Sequence, residues 1–230
     1  MEELLSQSSP LKPSKKWFKA KIDKNIFKEL TKTSDLPGWK HIFIFVSTLL
    51  ILGYLCYLTW GTWYFIPIYL AYCTFWGGAD AIWHECGHRT AFRSRRLNEF
   101  FYFIASFMNN FEPIRWRWSH KLHHNYTASI DPHDFEVEES IFSRPTLLSF
   151  VLRFVPGIGF FKLNNSLYKE ILQHAFGIET KVIKECIPKD QKKLCILVSR
   201  IFVLLWISIV LVSIYINSFL PIFLFLIPKF

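Results

Sequence analysis

Long apolar stretches dominate the first half of the chain. Between Ile42 and Ile82 the only charged residue is Asp80. The short segment Thr59–Trp63 divides this stretch into two parts of about 20 residues each, the length that an α-helix needs to cross a bilayer. The pattern therefore predicts a helical hairpin that spans a membrane.

The second half contains a third candidate span and shorter apolar segments. The stretch Cys195–Ile216 is long enough to cross, and Arg200 near its start can extend toward lipid head groups. A fourth apolar segment starts near Phe219, but its apolar part, Phe219–Pro228, is too short to span as it stands. Leu97–Phe111, with about 15 residues, favours an interfacial or re-entrant helix. The predicted fold class is an all-α integral membrane protein built from helical hairpins.

The charge distribution sets the expected orientation. The net charge is +9, with nine lysines before the first span and sixteen Lys or Arg residues between Arg89 and Lys193. The tip of the hairpin has none, so the positive-inside rule puts the N-terminus and the long central segment in the cytosol. We expect these basic residues to interact with anionic lipid head groups, and we do not expect them to bind nucleic acid.

Two regions follow from this organisation. Residues 1–40 are expected to form a basic cytosolic tail with an interfacial stretch, Trp17–Leu30, and residues 41–230 a membrane domain with a cytosolic helical cap. The alternating Arg115-Trp-Arg-Trp118 favours membrane anchoring over substrate contact. The five cysteines show no paired spacing, and a cytosolic face keeps thiols reduced, so no disulfide is expected.

Candidate chemistry is concentrated in two histidine clusters, which hold five of the eight histidines. On a helix, His84 and His88 project from one face, and so do His120, His123 and His124 at positions i, i+3 and i+4. Neutral imidazole suits iron, copper, zinc and nickel, and five rings could hold more than one such ion. The spacing predicts a metal site beside the membrane with these five histidines as ligands.

The first cluster also fits other interpretations. The residues His84-Glu-Cys-Gly-His88 match the His-Glu-x-x-His pattern of zinc proteases, but such a site has no use for a second packed trio of histidines. Cys86 could be a metal thiolate, yet position i+2 points away from the face that His84 and His88 share. A set of ordinary surface or core histidines is the remaining alternative.

Nearby carboxylates could orient the ligands. Asp80 stands one helical turn before His84, and a carboxylate that accepts a ring N–H fixes the tautomer of a metal-bound histidine. The segment Asp131–Asp134 offers further carboxylates, and His133 within it is either an additional ligand or a solvated turn residue, with the turn preferred. His41 and His174 are isolated and are not expected to be ligands.

With these residues in view, the chain resembles the membrane fatty acid desaturase and hydroxylase superfamily. The resemblance rests on two histidine boxes separated by about thirty residues, with a Trp-rich approach to the second, and covers roughly residue 42 to the end. It implies a four-span protein whose histidine boxes hold two non-haem iron ions at the cytosolic face. The matching positions are His84 and His88 in the first box and His120, His123 and His124 in the second.

The resemblance also implies a reaction and partners. Members of this superfamily activate O2 with electrons from a carrier such as cytochrome b5 or ferredoxin and its reductase. The leading expectation is a desaturase that introduces a double bond into a fatty acyl chain, with a membrane lipid or acyl substrate. Hydroxylation of an alkane, an acyl chain or a carotenoid uses the same boxes and stays open. A non-catalytic membrane protein with a structural or sensing metal site is the alternative from another class.

One departure from the superfamily pattern is evident. The resemblance implies a third His- or Gln-x-x-His-His box after the fourth span, and no such motif follows His124. We therefore expect the membrane domain to be incomplete at its C-terminus, and an inactive fragment is a further alternative.

Overall fold

The computed structural model describes residues 21–126, 135–136 and 167–228. The predictions for Asp131, His133 and Asp134 lie outside these residues, as does the N-terminal part of the predicted interfacial stretch. Within the described part the protein is entirely helical, without strands, in agreement with the predicted all-α class.

Ten helices lie in the described ranges. They are α1 (Lys24–Leu30), α2 (Asp35–Thr59), α3 (Phe65–Gly77), α4 (Ala79–His88), α5 (Arg95–Asn109), α6 (Pro113–Tyr126), α7 (Leu167–Ala175), α8 (Lys181–Cys186), α9 (Lys192–Tyr215) and α10 (Leu220–Phe225).

Among the described residues, two helical segments are long and apolar enough to cross a membrane. They are Lys24–Thr59, which contains α2, and α9, Lys192–Tyr215. Only 11% and 22% of their most apolar windows are buried within the protein, so both present most of their apolar surface outward. The second segment agrees to within a few residues with the predicted span Cys195–Ile216.

The first predicted hairpin differs from expectation in its second arm. Its break lies between α2 and α3, as the Thr59–Trp63 segment indicated. However, α3 has only 13 residues and ends at Gly77, and α4 begins at Ala79. Glycine is a poor helix former, so the Gly77-Gly78 pair separates what sequence patterning had joined into one span. The first histidine box consequently lies on a helix of its own.

The helices that carry the site pack around one aromatic core. Helix α4 packs along α5, and α2 packs along α3. Buried Trp76, Trp83 and Tyr102 lie in this core, and the Trp76 indole Nε1 donates a hydrogen bond to the Met108 carbonyl oxygen at 2.8 Å. Helix α9 packs along α7 and also contacts α5. Phe202 of α9 is completely buried against Phe103 and Phe107 of α5.

The start of α2 lies against the loop that follows the first histidine box. The backbone N–H of Arg93 donates to the Asp35 carboxylate at 2.7 Å. A Cβ atom added to Gly38 would lie 2.5 Å from the Ala91 carbonyl oxygen and 2.8 Å from the Phe92 ring. Only glycine permits this close approach, which fixes the first long helix against the site-bearing region.

Tyrosine hydroxyls attach α10 to the rest of the fold. Tyr69 and Tyr72 of α3 donate to the carbonyl oxygens of Phe223 and Leu224, each at 2.9 Å. Tyr168 of α7 donates to the Leu226 carbonyl oxygen at 3.0 Å. Carbonyl groups at the end of a helix have no partner within the helix, so these phenols supply the missing hydrogen bonds.

Candidate metal centre

Helix α4 presents the first pair of histidines. Its last residue, His88, is followed by Arg89 in the left-handed conformation with φ 61°, which ends the helix abruptly. The Thr90 hydroxyl then donates to the Glu85 carbonyl oxygen at 3.0 Å and contacts the Glu85 carboxylate at 2.6 Å. The turn leaves His84 and His88 on one face, with ring centroids 4.6 Å apart.

Cys86 lies on the opposite side of α4. It is fully buried in the aromatic core, and burial raises the pKa of its thiol to about 12. Its sulfur is enclosed on the side of the helix away from His84 and His88, so Cys86 does not share the face of the candidate ligands. All five cysteines are free thiols, as expected from the sequence.

Helix α6 presents the second set of histidines. The Glu112 carboxyl group caps its N-terminus by accepting hydrogen bonds from the backbone N–H groups of Ile114 and Arg115. The Tyr102 hydroxyl of α5 donates to the Pro113 carbonyl oxygen at 2.9 Å. Both contacts fix the first turn of α6, and His120 and His124 follow one turn apart on a shared face.

The two helices bring four histidines together. The candidate ligand atoms of His84, His88, His120 and His124 all lie within 4.8 Å of one another. The Nε2 atom of His88 is 3.1 Å from those of His120 and His124, which are themselves 3.0 Å apart. His123 lies to one side, with its ring centroid 6.0 Å from those of His120 and His124. The structure thus unites four of the five predicted ligands.

Three converging nitrogens of this kind fit a cation. Each Nε2 has one in-plane position, which holds either a proton or a lone pair, so three nitrogens cannot satisfy three mutual hydrogen bonds. Nitrogen atoms about 3 Å apart are close enough for His88, His120 and His124 together to hold one ion at the usual metal–imidazole distance of about 2.1 Å. The donor set, four imidazoles, suits a first-row transition metal.

Electrostatics keep these rings available as ligands. Loss of hydration, followed by the neighbouring histidines, lowers the pKa of both His88 and His124. A lower pKa favours the neutral imidazole, which is the form that binds a metal.

The carboxylate expected to orient His84 does not do so. Asp80 is exposed, and within the described part of the chain it makes no hydrogen bond to His84. Instead Glu136, which sequence reasoning missed, lies 2.8 Å from Nδ1 of His120 through its Oε2 atom. It belongs to the same acidic stretch as Asp131 and Asp134, and that stretch was the only signal in the sequence.

An ion-pair bridge connects the two histidine-bearing helices. The Glu99 carboxylate of α5 accepts from Arg89, directly after His88, at 3.0 Å and from Arg117, three residues before His120, at 2.8 Å. Although burial opposes ionisation, the Arg117 and Arg89 guanidinium groups hold the pKa of Glu99 below its ordinary value. Glu99 therefore fixes the end of α4 relative to the middle of α6.

The arginines of the Trp-rich approach differ from the predicted membrane anchors. The Arg115 side chain is 7% exposed and pairs with Glu170 of α7 at 3.1 Å. Arg117 pairs with Glu99 and lies over the Tyr102 ring. Both charges are compensated inside the protein because α5 and α7 supply carboxylates that the local sequence does not reveal.

Aromatic rings close the inner side of the site. Trp83 on α4 contacts the His120 ring at a centroid distance of 5.1 Å, and it packs against Phe111 and Trp116. Its side chain is almost completely buried. The histidine cluster thus packs on a layer of aromatic rings that excludes water. His88 and His124 lie on the exposed side of the cluster.

The two isolated histidines lie away from the cluster. His174 is fully buried and its Nε2 atom is 2.9 Å from the Thr180 hydroxyl, while burial lowers its pKa. His41 is exposed on α2. Neither belongs to the four-histidine group.

Comparison with known proteins gives the following matches. The model of the family described as fatty acid desaturase matches residues 58–230, about three quarters of the chain. A Bacillus subtilis (strain 168) protein named fatty acid desaturase is 30% identical over 50 residues, which cover 22% of this chain and 14% of that protein. No solved structure matches this chain.

Proposed function

Because the chain belongs to the fatty acid desaturase family, we propose that it acts as an O2-dependent fatty acyl desaturase that introduces a double bond into an acyl chain. The observation that carries the proposal is the convergence of His84, His88, His120 and His124 from two separate helices in a chain of this family. His123 is proposed as a fifth ligand of a two-iron centre.

Each part of the site has a role in this proposal. Bound iron would supply the redox capacity for removing hydrogen from an unactivated methylene with O2, which no side chain possesses. The histidines would bind the metal in their neutral form. The Trp83, Phe111 and Trp116 rings would keep water from the inner side, where charge interactions are stronger in the absence of solvent.

The proposed setting is a multi-pass membrane protein. The outward-facing apolar surfaces of α2 and α9 support membrane insertion, since a helix exposed in this way is stable in lipid. The lysine and arginine distribution supports a cytosolic location for the N-terminus and the histidines. In that orientation an acyl chain can enter from the bilayer, and a carrier such as cytochrome b5 or ferredoxin can deliver electrons from the cytosol.

Product analysis tests the reaction. Cells expressing the chain are fed isotope-labelled saturated fatty acids, and the labelled lipids are analysed by mass spectrometry. We expect a product that has lost two hydrogen atoms, and we expect it to disappear in the His88→Asn variant. His41→Asn, which changes an exposed histidine outside the site, is the matched control and should retain the product. A labelled product that has gained one oxygen atom would instead establish a hydroxylase.

Metal analysis separates the remaining alternatives. Elemental analysis of the detergent-purified protein is expected to show iron in the wild type and His41→Asn, and less iron in His88→Asn. Zinc in place of iron would overturn the oxygen chemistry and favour a hydrolytic or structural site. Bound iron without any oxygen-dependent product would favour a non-catalytic metal protein.

A further inference from the structure

One histidine of the site has a buried partner on its other ring nitrogen. The Nδ1 atom of His120 lies 2.8 Å from the Glu136 carboxylate, and the two side chains are only 13% and 11% exposed. Within the described residues, no other member of the four-histidine group has a carboxylate within hydrogen-bond distance; His84 and the exposed Glu85 are 3.6 Å apart. The contact is therefore specific to His120.

This contact determines which nitrogen of His120 carries the proton. A carboxylate accepts hydrogen bonds, so Nδ1 must be protonated, and in the neutral ring Nε2 then carries the lone pair. That Nε2 atom is the one that meets His88 and His124 at about 3 Å. The hydrogen bond also fixes the rotation of the ring, because the Nδ1–H group has to point at Glu136.

Glu136 is itself held in place from α6. Its Oε1 atom accepts a hydrogen bond from the Ser119 hydroxyl at 3.2 Å. Ser119 in turn accepts from the Arg115 guanidinium at 3.1 Å, and Arg115 pairs with Glu170 of α7. Helix α6, which carries His120, thus also carries Ser119 and Arg115, which orient the Glu136 carboxylate. Glu170 of α7 holds the Arg115 side chain in place.

From this geometry we propose that Glu136 is the positioning residue of the metal centre, which holds His120 in the Nδ1–H tautomer with Nε2 directed at the metal. The proposal rests on the proposed function in requiring that the histidines bind a metal. Glu136 acts through His120 and has no contact with the substrate in this role.

The experiment uses two readouts on the full chain in detergent. Nitrogen-15 NMR of the metal-free protein labelled at histidine reports the tautomer of His120, whose signal is identified by its loss in His120→Asn. Chelator competition with Co²⁺ reports metal affinity. In the wild type, Nδ1 should be protonated and Nε2 unprotonated. Glu136→Ala should mix the two tautomers and weaken Co²⁺ binding about 10- to 100-fold, the usual effect of losing such a partner.

Two further variants make the result specific. Glu136→Gln keeps an oxygen that can accept from Nδ1–H, so it should preserve the tautomer and weaken Co²⁺ binding less than Glu136→Ala. Glu179→Ala removes a carboxylate that pairs with Lys192 and touches no histidine of the site, and it should leave both readouts unchanged. A purely structural role of Glu136 would lower thermal stability without changing the tautomer.

The outcomes distinguish this proposal from the proposed function. An Nε2–H tautomer in the wild type, or an unchanged tautomer in Glu136→Ala, would overturn the positioning role even if iron binds. If the wild-type tautomer is as expected but the protein binds no metal, the proposed function fails, and with it the role of Glu136 toward a metal. If Glu136→Ala does not fold, the wild type and Glu136→Gln decide the question. The Nδ1–H tautomer in both, with only a small loss of Co²⁺ affinity in Glu136→Gln, supports the proposal, and an Nε2–H tautomer in either overturns it.

Discussion

Replacing Glu112 by glutamine should make the protein more stable at alkaline pH. Burial raises the pKa of this carboxyl group from 4.5 to about 7, even though the backbone N–H groups of Arg115 and Ile114 and the Cys195 thiol all donate to it. The Arg115 side chain interacts with it directly, and the Cys195 thiol that donates to it also contacts His174 and interacts with Glu170 of α7. Glutamine has nearly the same shape and cannot ionise.

The magnitude follows from linkage. The folded state holds the Glu112 proton more tightly than the unfolded state, so stability falls as pH rises from about 4.5 through about 7. At about 1.4 kcal/mol for each tenfold change in proton affinity, the ionised group costs roughly 3 kcal/mol at pH 8. Glu112→Gln removes this cost at pH 8 and leaves stability near the wild-type value at pH 5, where the carboxyl group is protonated in the folded protein.

The assay is denaturant unfolding in mild detergent, followed by the fluorescence of the nine tryptophans at pH 5 and pH 8. The difference between variant and wild type isolates Glu112, because all other groups titrate in both proteins. Glu179→Gln, an exposed carboxyl paired with Lys192, is the control and should show little difference between the two pH values. A Glu112→Gln effect that is the same at pH 5 and pH 8 would refute the reasoning.

Three further predictions concern packing and the bridge between the boxes. Gly38→Ala should lower the melting temperature, at a cost of about 1–3 kcal/mol, because its Cβ would meet backbone, whereas Gly77→Ala has open space and should be neutral or slightly stabilising. An equal effect of the two changes would contradict the close approach. Trp83→Ala should cost about 3–5 kcal/mol in denaturant unfolding, since it removes the buried base of the site, and a change below 1 kcal/mol would contradict it. Glu99→Gln should weaken Co²⁺ binding several-fold while helical content by circular dichroism stays unchanged, and unaltered affinity would show that the two-arginine bridge does not position the histidines.

Residue spacing was enough to predict most of the candidate centre. The i, i+4 pairs on α4 and α6 follow from helical geometry alone, which is why His84 shares a face with His88, and His120 with His124. His123 shows the limit of that reasoning, because a residue one position before His124 projects in another direction. Residue spacing within one helix does not determine the distance between its histidine rings and those of a second helix.

Other features depended on contacts between distant segments. Glu136 pairs with His120 from 16 residues away in the sequence, and a contact at that separation depends on tertiary packing. Arg115 sits in a sequence typical of membrane interfaces, yet Glu170 from α7 neutralises it inside the protein. The end of α3 at Gly77 could have been predicted, because adjacent glycines weaken a helix. The apolar residues on both sides of the pair instead led to the prediction of one continuous span.

The attachment of α10 bears on the order in which the protein is assembled. Tyr69 and Tyr72 are translated about 150 residues before the Phe223 and Leu224 carbonyl groups that they bind. During synthesis the two phenols must therefore donate to water, lipid head groups or an insertion factor until α10 has been made. Release of those temporary partners would mark the moment at which α3 binds α10, and a ribosome stalled before residue 220 would hold the protein in the earlier state.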